Sequence, residues 1–200
     1  LLKPILKKGN NVKVYPIFDS TMKSVGREKL KNAFIYPASS EKHKNHDKLY
    51  KAFLEVSKLQ PNNDIELNLT LSEKDYFNSC YNKIKPPKNL HLYNHGIIPK
   101  YKLYNIYEKC EYLIYPSYSE SFGLPLVESI KFNCKVIASD LPYVNCIIKP
   151  SLTFDPRNTK DICNSIVHSM NSNLPQSKIK VNNQVSSLIK FVKSLWEREF

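Results

Sequence analysis

From residue 33 onward, short runs rich in β-branched and aromatic residues alternate with stretches whose apolar positions recur every three or four residues. That alternation predicts repeated βα units and a parallel sheet covered by helices. Ala33 to Tyr36 predicts a first buried strand, closed by Pro37 and the polar Ser39, Ser40 and Glu41. Leu49, Ala52, Phe53, Val56 and Leu59 then give a helix one apolar face, and Pro61 with Asn62 and Asn63 stops it. Asp64 to Leu71 alternates as a second strand, and Ser72 is placed to cap a helix running through Tyr76, Phe77 and Tyr81. Leu90 to Tyr93 predicts a third strand, His95 and Gly96 a tight loop, and Tyr101 to Cys110 a helix. Tyr112 to Tyr115 is a fourth strand, about Pro125 to Phe132 a helix, and Lys135 to Ala138 a fifth strand.

After Asp140 the pattern weakens. Pro142, Pro150 and Pro156 read as turns around a short strand at Leu152 to Phe154, and Thr159 to Met170 is again helical. Asn171 to Lys180, with Pro175, reads as a loop before a last helix from Gln184 to about Trp196. Residues 1–32 are basic, show little periodicity beyond Val12, Val14 and Ile17, and are expected to form a linker segment. Residues 33–200 form the predicted Rossmann-like α/β domain.

Composition narrows the class. A chain of 200 residues, 42% hydrophobic, can bury one α/β core and is short for two. No run of eighteen apolar residues is present, and the N-terminus lacks the apolar stretch of a signal peptide. Five cysteines, at 80, 110, 134, 146 and 163, are odd in number and form no CxxC pair, which points away from a disulfide framework or zinc knuckle and toward a reducing, cytoplasmic setting. The net charge of +12 favours an anionic partner, but the lysines are scattered as on a solvated surface. Clustered arginines or a nucleic-acid motif are not visible, so a nucleic-acid partner is not expected.

In an open parallel sheet, ligands bind in loops at the C-terminal ends of the strands. The loop after the fourth strand runs Ser117-Tyr-Ser-Glu120-Ser-Phe-Gly123-Leu-Pro125-Leu-Val-Glu128. Gly123 lets the backbone approach a ligand, and Pro125 suits a first helical turn, where its missing N–H costs nothing. The result is a helix N-terminus open to an anion, worth about 0.3–1 kcal/mol at the surface and up to ~2 kcal/mol when partly buried. A diphosphate is a natural occupant. Glu120 would repel it, and so makes sense only facing a neutral hydrogen-bond donor such as a sugar hydroxyl; Glu128, roughly one turn (~5 Å) into the helix, is suitably placed for a ribose.

Glu120-Ser-Phe-Gly-Leu-Pro-Leu-Val-Glu128 resembles the EX7E motif of the retaining glycosyltransferases of family 4, also called glycosyltransferase group 1. Flanking segments follow the family's order: Tyr112 to Ser117, Phe122 to Pro125, Val136 to Ser139 and Phe154 to Pro156. His43-Lys44-Asn45-His46 looks like the segment whose lysine contacts the donor diphosphate, and His95-Gly96-Ile97-Ile98-Pro99 resembles the loop beside the nucleobase. The family commonly carries an arginine about five residues before that lysine, where this sequence has Ser39.

The resemblance, over roughly residues 10 to 170, implies the C-terminal half of a GT-B fold, with the N-terminal acceptor domain absent from this chain. It assigns Glu120 a catalytic role and the donor diphosphate to Lys44 and to the backbone of Ser121, Phe122, Gly123 and Leu124. It gives the ribose to Glu128 and the nucleobase edge to Gly96, Ile97 and Ile98. It implies metal-independent transfer with retention from a nucleoside diphosphate sugar, no cofactor, and a saccharide or lipid-linked saccharide acceptor. Bacterial surface polysaccharide or lipopolysaccharide assembly is the expected pathway, with peripheral contact at the inner face of the plasma membrane.

Each residue also has a plainer reading. Lys44 alone is a surface lysine; His43 and His46 are spaced like metal ligands but have no third partner. Asn68-Leu-Thr70 fits a glycosylation sequon yet lies inside a strand. The last helix can pack on the sheet or lie at a membrane surface. As alternatives for the whole chain, a donor-binding module without transfer activity and a sugar-nucleotide epimerase of the same fold stay open.

Overall fold

A computed structural model describes residues 18, 21 and 23–190. The chain orders as β1 (Leu30–Tyr36), a short 3₁₀ turn (Lys42–Lys44), α1 (His46–Leu59), β2 (Ile65–Leu69), α2 (Glu73–Asn78), α3 (Cys80–Lys83), β3 (Leu90–Asn94), α4 (Lys100–Lys109) and β4 (Cys110–Tyr115). It continues with α5 (Leu124–Lys131), β5 (Lys135–Ser139), α6 (Pro142–Ile147), β6 (Ile148–Lys149), β7 (Leu152–Phe154), α7 (Thr159–Asn171) and β8 (Lys178–Ile179).

The six main strands form one sheet in the order β3-β2-β1-β4-β5-β7, and every neighbouring pair is parallel. From β1 the chain steps outward through β2 and β3, then returns to β4 beside β1 and steps the other way. With right-handed crossovers, that reversal puts α1 and α5 on opposite faces and opens a crevice where β1 and β4 meet, at their C-terminal ends. The expected α/β Rossmann-like fold is therefore the one observed.

Both faces of a parallel sheet must be covered, and the strands are correspondingly apolar. Phe34 of β1 is fully buried, edge-on to Phe53 of α1 at 5.3 Å and stacked on Tyr112 of β4 at 4.9 Å. Leu49, Ala52, Phe53 and Val56, the apolar stripe read from the sequence, are all buried. Ser72 caps α2 as expected, its hydroxyl accepting the Asp75 N–H at 3.1 Å. Asn158 caps α7 in the same way. Across the molecule, Tyr112 ties β4 to α7 through a 2.7 Å bond to the Ser169 carbonyl.

The boundaries differ from the hydrophobic pattern in a few places. β1 starts at Leu30 rather than Ala33. The single helix expected after Ser72 is two, because Ser79 takes an extended conformation and bonds its hydroxyl back to the Tyr76 carbonyl at 2.7 Å. Pro142 opens the helix α6 instead of marking a turn. The predicted 171–180 loop carries β8, which pairs antiparallel with β6. Residues 185–190 begin the predicted last helix; its remainder and the Val12, Val14 and Ile17 positions of the expected linker segment lie outside the described residues.

The segment before β1 is held against the helices that flank the sheet. Lys29 donates from its ammonium to the carbonyls of Tyr107 and Phe132, both at 2.6 Å, and so closes the C-terminal ends of α4 and α5. The buried Glu108 carboxylate accepts the Val25 N–H at 2.7 Å and the Ser24 hydroxyl at 3.0 Å. Farther up, the Phe18 ring stacks on Phe122 at 6.4 Å, beneath the Lys131 ammonium, and the Asn183 side chain donates to the Phe18 carbonyl at 2.6 Å.

Candidate functional site

Three strand-end loops converge on the crevice between β1 and β4. The loop after β1 turns through Lys42–Lys44 and reaches Asn45, whose backbone is left-handed at φ 62°. Asparagine tolerates that conformation better than other non-glycine residues, and its side chain is buried here. The Asn45 amide donates to the Pro116 carbonyl at 3.2 Å and the Pro156 carbonyl at 2.8 Å, while its oxygen accepts the Tyr118 hydroxyl at 2.9 Å. The Tyr118 N–H bonds the His43 carbonyl at 2.8 Å. One side chain thus fastens the loops after β1, β4 and β7 together.

A buried polar chain supports the same junction. The Tyr36 hydroxyl donates to the Lys44 carbonyl at 2.7 Å, which leaves its oxygen to accept from Ser117 Oγ at 2.9 Å. The Ser117 carbonyl in turn accepts Ser139 Oγ at 2.9 Å and the Tyr143 hydroxyl at 2.8 Å. These bonds fix the backbone on both sides of the crevice, and they place the side chains of Lys44 and Glu120 against each other. Lys44 Nζ lies 2.8 Å from each Glu120 carboxylate oxygen, although 76 residues separate the two in sequence. Their side chains keep 14% and 9% of their exposure, so the pair sits at the rim of the interior, where its geometry is protected but a ligand can still reach it. Burial first, and then the charge of Glu120, push the Tyr115 hydroxyl up; burial also raises Tyr36 and Tyr143, with Glu120 adding to each. The phenols around the carboxylate are therefore neutral donors at physiological pH.

Beside this pair, α5 begins at Leu124 behind Gly123, which is left-handed at φ 76° and buried. Pro125 stands in the first turn, and no side chain caps the helix, so the N-terminus faces the crevice open. Ser121 and Leu124 are exposed there and Phe122 is half-buried. Glu128 lies on the buried face of α5, with the exposed Lys100 ammonium 3.6 Å from its carboxylate.

The loop after β3 carries Gly96, left-handed at φ 70°, the exposed Ile97 and the half-buried Ile98. His95 anchors it. Its Nε2 meets Asn68 Oδ1 at 2.8 Å, while the Asn68 amide donates to the Phe34 carbonyl at 3.2 Å. Asn68 is thus a buried strand residue with its amide engaged, not an acceptor for glycosylation. Ile97 and Pro125 face each other across a cleft of about 290 Å³, together with Pro37, Ser39, Thr70 and Leu103. The three loops picked out from the sequence, after β1, β3 and β4, therefore surround one crevice.

His46 is accounted for within the core: its Nε2 donates to the Ser39 carbonyl at 2.8 Å and its Nδ1 accepts the Tyr81 hydroxyl at 3.0 Å. Burial lowers its pKa. Among the described residues, no three His, Cys, Asp or Glu side chains gather as a metal site, and the described cysteines are free thiols. Sequence reasoning passed over Asn45, Tyr118, Ser117 and Lys100. Only Asn45 left a signal, standing between a lysine and a helix start where a left-handed residue is useful.

A strand order that reverses beside an open helix N-terminus, with a lysine and a glutamate meeting at the reversal, defines a doubly wound, Rossmann-like domain with an anion-binding crevice. The family model of glycosyl transferases group 1 matches residues 18–185, and the chain belongs to that family. No curated protein matches the chain by sequence. Among solved structures, TarM of S. aureus superposes with TM-score 0.68 at 17% identity, covering 82% of this chain and 33% of that one. The pneumococcal O-GlcNAc transferase GtfA, solved with UDP and GlcNAc, gives 0.60 at 21% identity, covering 74% and 31%. The C-terminal domain of the group 1 protein LpcC from Francisella tularensis gives 0.58 at 18%, covering 72% and 77%. The chain thus spans about a third of the length of TarM and GtfA. No described helix is long and apolar enough to cross a membrane.

Proposed function

We propose that this chain is the donor-binding half of a retaining glycosyltransferase, which takes the sugar of a nucleoside diphosphate sugar and passes it to an acceptor held by a second Rossmann-like domain. The observation that carries the reading is the Lys44–Glu120 pair at the open N-terminus of α5, with both contacts at 2.8 Å. A cation and a helix N-terminus suit a diphosphate, and a carboxylate beside them suits the hydroxyls of the sugar attached to it. Glu128, one turn along α5, takes the ribose, and the Gly96–Ile98 backbone borders the base in the cleft under Ile97.

In this reading the bond from the anomeric carbon to the diphosphate breaks, and the departing negative charge is received by Lys44 and by the N–H groups of Ser121 to Leu124. Preorganised donors of this kind replace a metal ion as the electrostatic partner of the leaving group. Glu120 holds the sugar over the crevice. The acceptor is a saccharide or lipid-linked saccharide of bacterial surface polysaccharide assembly, with the basic surface (net charge +12) drawing the protein to the anionic inner face of the membrane.

Calorimetric titration of the chain with UDP, GDP and ADP in the absence of metal tests the site. Saturable binding of one nucleotide, weakened by both Glu128→Ala and Lys44→Ala, is the expected result. Absence of binding by a chain shown to be folded, or binding indifferent to both substitutions, overturns the reading.

A further inference from the structure

We propose that the Lys44–Glu120 ion pair distinguishes the glycosylated donor from the free nucleoside diphosphate, and that it does so by exchanging partners. The proposal rests on the donor-site reading above. Without ligand, Glu120 presents both oxygens to one ammonium, each at 2.8 Å, and two of the three Lys44 N–H donors are consumed. A diphosphate entering at α5 must therefore share that ammonium with a carboxylate, or take it away.

What happens to Glu120 then depends on the ligand. A sugar ester carries one negative charge fewer than the free diphosphate and brings hydroxyl donors, which satisfy the carboxylate as it gives up Lys44. The free diphosphate brings no donor and more charge, so Glu120 is left without a counter-ion beside like charge at 9% exposure. The Tyr115 hydroxyl already bonds this carboxylate, and none of the neighbouring phenols is free to take the place of the ammonium. The Tyr36 hydroxyl is committed to the Lys44 carbonyl at 2.7 Å and Tyr143 to the Ser117 carbonyl at 2.8 Å. Hence the pair favours the donor on entry and, after the sugar has left, expels the diphosphate product. Lys44 alone would hold donor and product alike; the carboxylate makes the site selective between them.

The experiment compares UDP with UDP-glucose and GDP with GDP-mannose by calorimetry on the chain and on Glu120→Gln, which keeps the shape and removes the charge. Thermal unfolding confirms that the variant is folded. The substitution should tighten the free diphosphate about tenfold, equivalent to about 1.4 kcal/mol, and weaken the sugar ester. Opposite shifts are the signature, because loosening of the fold would weaken both ligands together. An unchanged or weaker affinity of Glu120→Gln for the free diphosphate, with the unsubstituted chain binding normally, overturns the exchange and leaves the donor site standing. Failure of the unsubstituted chain to bind any of the four ligands overturns the donor site itself, and the exchange with it.

Discussion

Removal of the Asn45 side chain probes the junction on which the candidate site is built. Asn45→Ala deletes the two bonds to the Pro116 and Pro156 carbonyls and the one from the Tyr118 hydroxyl. The carbonyls belong to loops packed inside the fold, whereas Tyr118 is only half-buried and can turn to water. At about 1 kcal/mol per buried bond, with alanine also strained by about 1 kcal/mol at a left-handed φ, the loss should come to about 3 kcal/mol. For a domain of this size that corresponds to a fall in Tm of about 6–12 °C, read by calorimetry or circular dichroism. Asn45→Gly separates the contributions, since glycine keeps the backbone unstrained but loses the same bonds, and it should therefore fall less than alanine. The displaced loop also carries Lys44, so nucleotide affinity should drop in both variants. A Tm for Asn45→Ala within about 2 °C of the parent would refute the view that this side chain fastens three loops.

Gly123→Ala places a Cβ at φ 76°, 3.0 Å from the Leu126 side chain, and should destabilise the protein by about 1–2 kcal/mol in urea titration, while blunting nucleotide binding at the α5 terminus. Lys29→Met removes the ammonium shared by the Tyr107 and Phe132 carbonyls and should lose about 1–2 kcal/mol in the same assay. His46 gives a pH signature. Its pKa is lowered from 6.5 in the fold, so below that value the unfolded chain binds the proton more tightly, and stability falls as pH drops from 6.5 toward the lowered value. Urea unfolding between pH 5 and 8 should show that slope, and His46→Gln should flatten it.

The parts of the fold that could be read in advance are those in which local pattern and burial agree. Leu49, Phe53 and Val56 form an apolar stripe that has to be buried, and α1 lays it inward, with Phe53 against Phe34 of β1. Elements built from two residues, such as β6 and β8, carry no period; they exist because Ile148 and Ile179 meet across a long stretch of chain, which no local window registers. The break at Ser79 escaped for a related reason, since a serine hydroxyl competing for a backbone carbonyl leaves the hydrophobic spacing intact. At the site, Glu120, Gly123 and Glu128 were legible as a motif with a physical rationale. The partner of Glu120 was not, because the contact between positions 44 and 120 is made by the strand order, which brings β1 and β4 side by side. Lys100 lay closer to a named residue than its sequence position suggested, 3.6 Å from Glu128 across two helices.

The Phe18 contacts bear on where this polypeptide can be cut. The ring of Phe18 rests on Phe122, two positions from Glu120, while its carbonyl is gripped by Asn183. Neither residue belongs to the six-stranded sheet, yet together they brace the loop that opens α5 from outside. A shortened version trimmed to the sheet and its helices, from Leu30 to Asn171, would lose this brace together with the Lys29 contacts to the ends of α4 and α5. The smallest piece that keeps Glu120 in its present setting therefore extends to Phe18 on one side and Asn183 on the other.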